Sequence, residues 1–237
     1  GVKCEHFADC GGCTFQNLDY TQQTKAKEMQ VKDVFRRIGG FPDAECASIV
    51  TCDDTFHYRN KMEFTFSSHE YVPESEKDRE PSSFALGLHA PGRWDKILDI
   101  NNCHIQAPIA NEILGTIKEL TKDLKPYNMR EHTGLLRNVI IRVGAHTDEV
   151  MVNIVTSYKD QKALNPIVES LIKKFPLITS IVNNITTRKS GVSMGEHQVV
   201  LHGNEYMLEK LGEYQFMISA DSFFQTNTYQ AEKLYKI

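Results

Sequence analysis

Three cysteines crowd the first thirteen residues as Cys4-x5-Cys10-Gly11-Gly12-Cys13, and a fourth, Cys103, follows 90 positions after Cys13 in Asn102-Cys103-His104-Ile105. Three thiolates on one short loop and a fourth from a distant segment can enclose one metal centre. Thiolates are soft ligands suited to iron–sulfur clusters and to zinc. The paired glycines let the backbone turn tightly, as a cubane larger than a single ion requires. A structural zinc ribbon usually offers two CxxC knuckles, and this chain has one. Zinc, and a simple set of buried or paired thiols, remain open beside the cluster on the spacing alone. Cys46 and Cys52 repeat the five-residue gap without a glycine pair and read as small, partly buried residues.

Positive charge is the second chemistry on offer. Arg59 and Lys61 share one side of an alternating segment, Arg137 and Arg142 sit on another, and Arg188-Lys189 forms a basic pair. Arginine suits phosphate, so these residues are candidate nucleic-acid contacts, with a solvated strand face as the plain alternative. The net charge of −4 argues against binding through bulk positive charge and leaves only local stripes. The nine histidines form no H-E-x-x-H pattern, and no G-x-G-x-x-G follows a strand. Gly191 to Gly195 has the wrong spacing for such a loop and reads as a turn. His6 and His104 flank cluster cysteines and read as neighbours of the centre.

The elements that must hold these residues follow from pattern. Residues 18–38 read as a helix capped by Asp19 or Thr21 and stopped at Gly39-Gly40. Residues 57–67 alternate as a half-buried strand, and 69–82 read as a surface loop. Two strands, 84–89 and 96–100, flank the turn Pro91-Gly92. A helix follows over 108–124, then a hairpin of 135–143 with 150–156, and a second helix over 165–175. Shorter strands are expected near 178–185, 199–202 and 214–219, with a final helix from Thr228. This pattern predicts an α+β fold: a mainly antiparallel sheet with flanking helices and an N-terminal cysteine-rich loop.

The chain has 237 residues, 41 % hydrophobic and 24 % charged, enough apolar surface to exclude a mainly disordered chain. Its longest apolar stretches are too short and too charged to span a bilayer. The N-terminus Gly1-Val2-Lys3-Cys4 has no apolar export region, so a reducing, cytoplasmic setting and a monomer are expected. The start without Met and the end inside a helix, Gln230 to Ile237, carry the expectation of a fragment.

Together these residues resemble the SAM-dependent RNA uracil-C5 methyltransferases, in particular the iron–sulfur type that makes 5-methyluridine in 23S ribosomal RNA. The cysteine pattern carries the likeness, joined by His57-Tyr58-Arg59-Asn60-Lys61, by Gly134-Leu135-Leu136-Arg137 and by Ser222-Phe223-Phe224-Gln225-Thr226-Asn227. The resemblance implies a 4Fe–4S cluster on Cys4, Cys10, Cys13 and Cys103, a SAM contact at Gln225, and Phe223 near a flipped RNA base. It also implies RNA contacts at Arg59, Lys61, Arg137 and Arg142. Ribosomal RNA is favoured over transfer RNA because the transfer-RNA branch commonly lacks these cysteines. In such enzymes a cysteine thiolate adds to C6 of uracil, C5 takes the methyl group of SAM, a carboxylate removes the C5 proton, and the thiolate leaves.

Neither the nucleophile nor the base is identifiable here. The resemblance therefore divides the chain into a cluster loop at 1–17, a central RNA-binding domain at 18–220 and the start of a methyltransferase domain at 221–237. The helix at 18–40 is expected to pack on that last domain. The catalytic Rossmann-like part is expected to be mostly absent and the chain alone inactive. The competing reading is a zinc- or cluster-stapled RNA-binding module without catalysis.

Overall fold

The protein is described by a computed structural model covering residues 1–191 and 193–237. Val192, part of the turn expected over 191–195, lies outside the described residues. Helix α1 spans Tyr20–Arg37, and Asp19 caps it by accepting a hydrogen bond from the Thr21 amide. It buries only Thr24, leaving Met29, Val34, Phe35 and Ile38 exposed.

Seven strands form one sheet in the order β3-β2-β1-β4-β5-β6-β7. They are β1 (Lys61–Ser67), β2 (Ala85–His89), β3 (Ile97–Asp99), β4 (Leu136–Val143), β5 (Val150–Thr156), β6 (Ile178–Ile185) and β7 (His197–Gly203). The alternation of β1 places Met62, Phe64 and Phe66 on one face, and its register sets Met62 and Phe64 opposite Ile141 and Val139 of β4. Helices α2 (Pro108–Thr121) and α3 (Gln161–Lys174) cover that face through Ile113, Leu114, Ile117, Leu164 and Leu171, all fully buried. Two further strands, β8 (Tyr206–Leu211) and β9 (Tyr214–Ser219), make a hairpin whose Met207 and Ile218 pack with Met151 and Val182. Both faces of β5 are thereby covered, and every residue of it is buried. Helix α4 (Thr228–Leu234) follows, capped by Asn227.

Five of the six pairings in this sheet are antiparallel and one is parallel, so the mainly antiparallel sheet expected from the pattern is mixed at one place. β5 and β6 run parallel, because α3 carries the chain back across the sheet between them. α3 also starts four residues earlier than expected. Asp160 accepts from the Ala163 amide, and Pro166 is accommodated inside the helix. β1 starts at Lys61 because His57 takes a left-handed φ of 56° and Arg59 makes only an isolated bridge with Gln106. β8 lies where no strand was expected. Its Glu209 is buried, accepting hydrogen bonds from the Ala145 amide (2.6 Å), the His146 amide (3.2 Å) and the Thr228 hydroxyl (3.3 Å). No helix among the described residues is long and apolar enough to cross a membrane.

Candidate functional site

Cys4, Cys10 and Cys13 lie in a loop without regular structure, so side-chain and turn hydrogen bonds must hold it. Gln16 Oε1 accepts from the Lys3 and Cys4 amides at 3.0 and 2.7 Å, and the Cys10 amide donates to the His6 carbonyl at 2.9 Å. The Gly11 amide donates to the His89 carbonyl at the end of β2, tying the loop to the sheet. A Cβ at Gly11 would press on that carbonyl at 2.9 Å, so the close approach needs glycine.

Cys103 arrives from the connection between β3 and α2. Asn111 of α2 clamps its backbone from both sides, its Oδ1 accepting from the Cys103 amide (2.8 Å) and its Nδ2 donating to the carbonyl (3.2 Å). All four cysteines line one small cavity with Leu88, Ile100 and Ile105. Burial pushes the Cys10 thiol up to about 11 and also raises Cys13 and Cys103, with the neighbouring thiolates adding to the effect. Backbone N–H groups offset part of this: Gly12 donates to Cys10 Sγ at 3.3 Å, and Ile105 and Gln106 face Cys103. Among the described residues no three His, Cys, Asp or Glu side chains are grouped to hold a single ion. The structure gathers the four cysteines around one space. Cys46 and Cys52 lie outside it; Cys52 Sγ donates to the Asp54 carbonyl at 2.9 Å.

The second constellation lies where the segment 220–228 crosses the ends of β1, β4 and β6. Asn60 anchors it: its amide donates to the Thr226 carbonyl (2.8 Å), and its Nδ2 donates to the Gln225 carbonyl (2.8 Å) and the Thr228 hydroxyl (2.9 Å). Asn184 of β6 donates to Asp221 at 2.8 Å. Arg142 of β4 donates to the carbonyls of Ala220 and Ser222. Braced this way, the segment carries Gln225 half-buried and Phe223 86 % exposed.

The basic residues separate into two kinds. Arg137 and Arg142 are each only 3 % exposed. Arg137 stacks 4.3 Å from the Tyr127 ring and donates to the Arg188 carbonyl (2.6 Å) and the Ser190 carbonyl (2.5 Å). The expectation that they meet RNA therefore gives way to a different job, because both guanidinium groups are turned inward onto backbone carbonyls. Arg59 and Lys61 stay half-buried, Arg59 Nε donating to the Lys61 carbonyl at 3.0 Å. Burial and the nearby Arg142 charge lower the Lys61 ammonium below its ordinary range. Sequence reasoning missed Asn60, Asn184 and Asn111 as clamps. Their only signal was an amide side chain beside a motif.

No protein-family model matches the chain. It is 39 % identical over 239 residues to a protein of Chlorobaculum tepidum named as an uncharacterized RNA methyltransferase, covering 98 % of this chain and 50 % of that protein. A likewise named protein of Porphyromonas gingivalis is 39 % identical over 248 residues, covering 100 % of this chain and 53 % of that one. Over nearly its whole length the chain is related to proteins named as RNA methyltransferases, and it spans about half their length.

Among solved structures, it resembles the Pyrococcus abyssi tRNA (uracil-54, C5)-methyltransferase in complex with S-adenosyl-L-homocysteine. The TM-score is 0.70 at 28 % identity, over 95 % of this chain and 49 % of that one. That likeness, running through nearly every element here, overturns the description of the fold as one whose catalytic Rossmann-like part is mostly absent.

Proposed function

We propose that the protein acts in RNA methylation, passing a methyl group from SAM to C5 of a uridine in ribosomal RNA to give 5-methyluridine. The observation that carries this reading is the convergence of four cysteines on one cavity in a chain related throughout to RNA methyltransferases. The uracil-C5 position draws support from the motifs around Arg59, Arg137 and Gln225 and from the likeness to the Pyrococcus abyssi tRNA (uracil-54, C5)-methyltransferase. The choice of ribosomal over transfer RNA rests on the cysteine set alone.

Cys4, Cys10, Cys13 and Cys103 would hold a 4Fe–4S cluster. The donor set fits: four soft ligands from two segments surround one space, with amide N–H groups turned to Cys10 and Cys103. Bound there, the cluster supplies a rigid cross-link and no redox step in the methyl transfer. Gln225 orients SAM, and Phe223, the most exposed aromatic of its segment, stacks on the base withdrawn from the RNA. Arg59 and Lys61 take RNA phosphates. Asn60, Arg142 and Asn184 act through that segment as positioning residues. No nucleophile or base is assigned among these residues, so the chain alone is expected to leave RNA unmethylated.

The test is transfer of labelled methyl from SAM by the whole gene product to unmodified 23S ribosomal RNA and transfer RNA. The expected product is 5-methyluridine in ribosomal RNA, diminished by Phe223→Ala. Label in transfer RNA alone would overturn the substrate, and label in neither would overturn the reading.

A further inference from the structure

A much larger hollow, of about 920 Å³, opens beside β1, β2 and β4. Trp94, on the connection between β2 and β3, stands at its wall 63 % exposed. Arg93 forks onto Asp95 at 3.0 and 3.1 Å, and Arg130 approaches the same carboxylate at 3.6 Å. Two guanidinium groups thus share one carboxylate, which leaves a net positive charge beside the ring. On the strands below, Thr65 Oγ1 accepts from Asn138 Nδ2 at 3.1 Å and lies 3.2 Å from His89 Nε2. The hollow therefore combines an exposed aromatic face, a cationic rim and hydroxyl, amide and imidazole groups able to meet a polar edge.

We propose that this groove binds an unpaired stretch of RNA, with one base stacked on Trp94 and the adjoining phosphate against Arg93 and Arg130. The proposal rests on the RNA reading above and deepens it by placing a second contact surface away from Phe223. A hollow of this size takes a nucleotide-sized ligand. Aromatic faces flanked by arginine are how proteins hold single-stranded nucleic acid, since every unstacked base offers a π-face. A duplex keeps those faces in its own stack and cannot use the ring. The groove also touches the cysteine loop: Gly11 and Gly12 line it, and the Gly11 amide is bonded to His89 in its wall.

Trp94 is the only tryptophan in the chain, so tryptophan emission, excited selectively over the nine tyrosines, reports on this groove alone. The experiment titrates the full chain with a labelled eight-nucleotide uridine–adenosine RNA, single-stranded or annealed to its complement, following RNA anisotropy and tryptophan emission together. The single strand is expected to quench the emission saturably, with the same midpoint as the anisotropy, and the duplex to leave it unmoved. Trp94→Ala should weaken binding about tenfold, within the range of base–aromatic stacking, while Trp94→Phe keeps most of the affinity. Arg130→Gln should reduce the dependence of affinity on salt by about one phosphate contact. Binding that neither moves the emission nor responds to Trp94→Ala would overturn the groove and leave the methyl-transfer reading standing. Absence of any RNA binding would also overturn it, while methyl transfer by the whole gene product decides the other reading separately.

Discussion

Replacing Arg142 by Ala separates a brace from an RNA contact. The side chain is nearly fully buried and donates to the carbonyls of Ala220 and Ser222. A hydrogen bond from a charged donor contributes about 1.5–3 kcal/mol, and each carbonyl stranded by its loss carries a desolvation cost. Against this stands relief of burying the guanidinium, whose pKa is lowered by that burial and whose Nε has no partner among the described residues. The balance is a destabilisation of about 2–4 kcal/mol, or a fall in Tm of roughly 5–15 °C for a chain of this size. Thermal and urea unfolding followed by circular dichroism measure it, and hydrogen exchange over 220–226 shows where the loss falls. Arg142→Lys should lie between, since the shorter lysine side chain carries its ammonium less far toward the two carbonyls that Arg142 Nη2 reaches. A change below about 0.5 kcal/mol, the usual size for an open surface position, together with a large loss of RNA affinity would refute the inward role.

Anaerobically prepared protein should contain about four iron and four sulfide per chain and lose them with Cys103→Ser, whereas stoichiometric zinc without iron would exclude the cluster. Glu70 is buried, accepts from both terminal nitrogens of Arg79 at 2.7 and 2.9 Å, and is held below the ordinary carboxylate value of 4.5 chiefly by that hydrogen bonding. Its folded pKa is depressed, so its contribution to stability is complete above about pH 4.5 and drains as pH falls through the folded value. Glu70→Gln should accordingly flatten the acid limb of a stability–pH curve, and an unchanged limb would count against the pair. Gly134→Ala should destabilise by more than about 1 kcal/mol in urea unfolding, because Gly134 has a φ of 109° and a Cβ there would run into the Pro126 carbonyl.

The cysteine set was legible because its signal is local: residue type and spacing define a loop, and only the fourth partner had to arrive from elsewhere. α1, α2 and the β4–β5 hairpin were legible for a similar reason, through caps and apolar runs. Arg137 and Arg142 were not. A strand arginine reads as water-facing unless the carbonyls beneath it are known, and those belong to segments 49 to 80 residues away. The parallel pairing of β5 and β6 was hidden because β5 is buried on both faces and shows no alternation. β8 escaped notice because Glu209, a charged residue, occupies a buried position whose distant donors, the Ala145–His146 turn and Thr228, the local pattern does not reveal. Trp94 was passed over since an isolated aromatic in a loop has no periodicity to mark it.

The carboxylate of Glu209 has a consequence for how the molecule breathes. It accepts hydrogen bonds from the turn after β4, from its own strand at Lys210 and from the first residue of α4, so three stretches distant in sequence meet at two oxygen atoms. Lifting any one of them strands the carboxylate in a dry setting, which costs more than the single bond lost. The hairpin, the turn and the final helix should therefore open together, as one sub-global unit rather than as three fraying pieces. In native-state hydrogen exchange the amides of Ala145, His146 and Lys210 would share one opening free energy, so the edge of the opening unit runs around the hairpin and not through it.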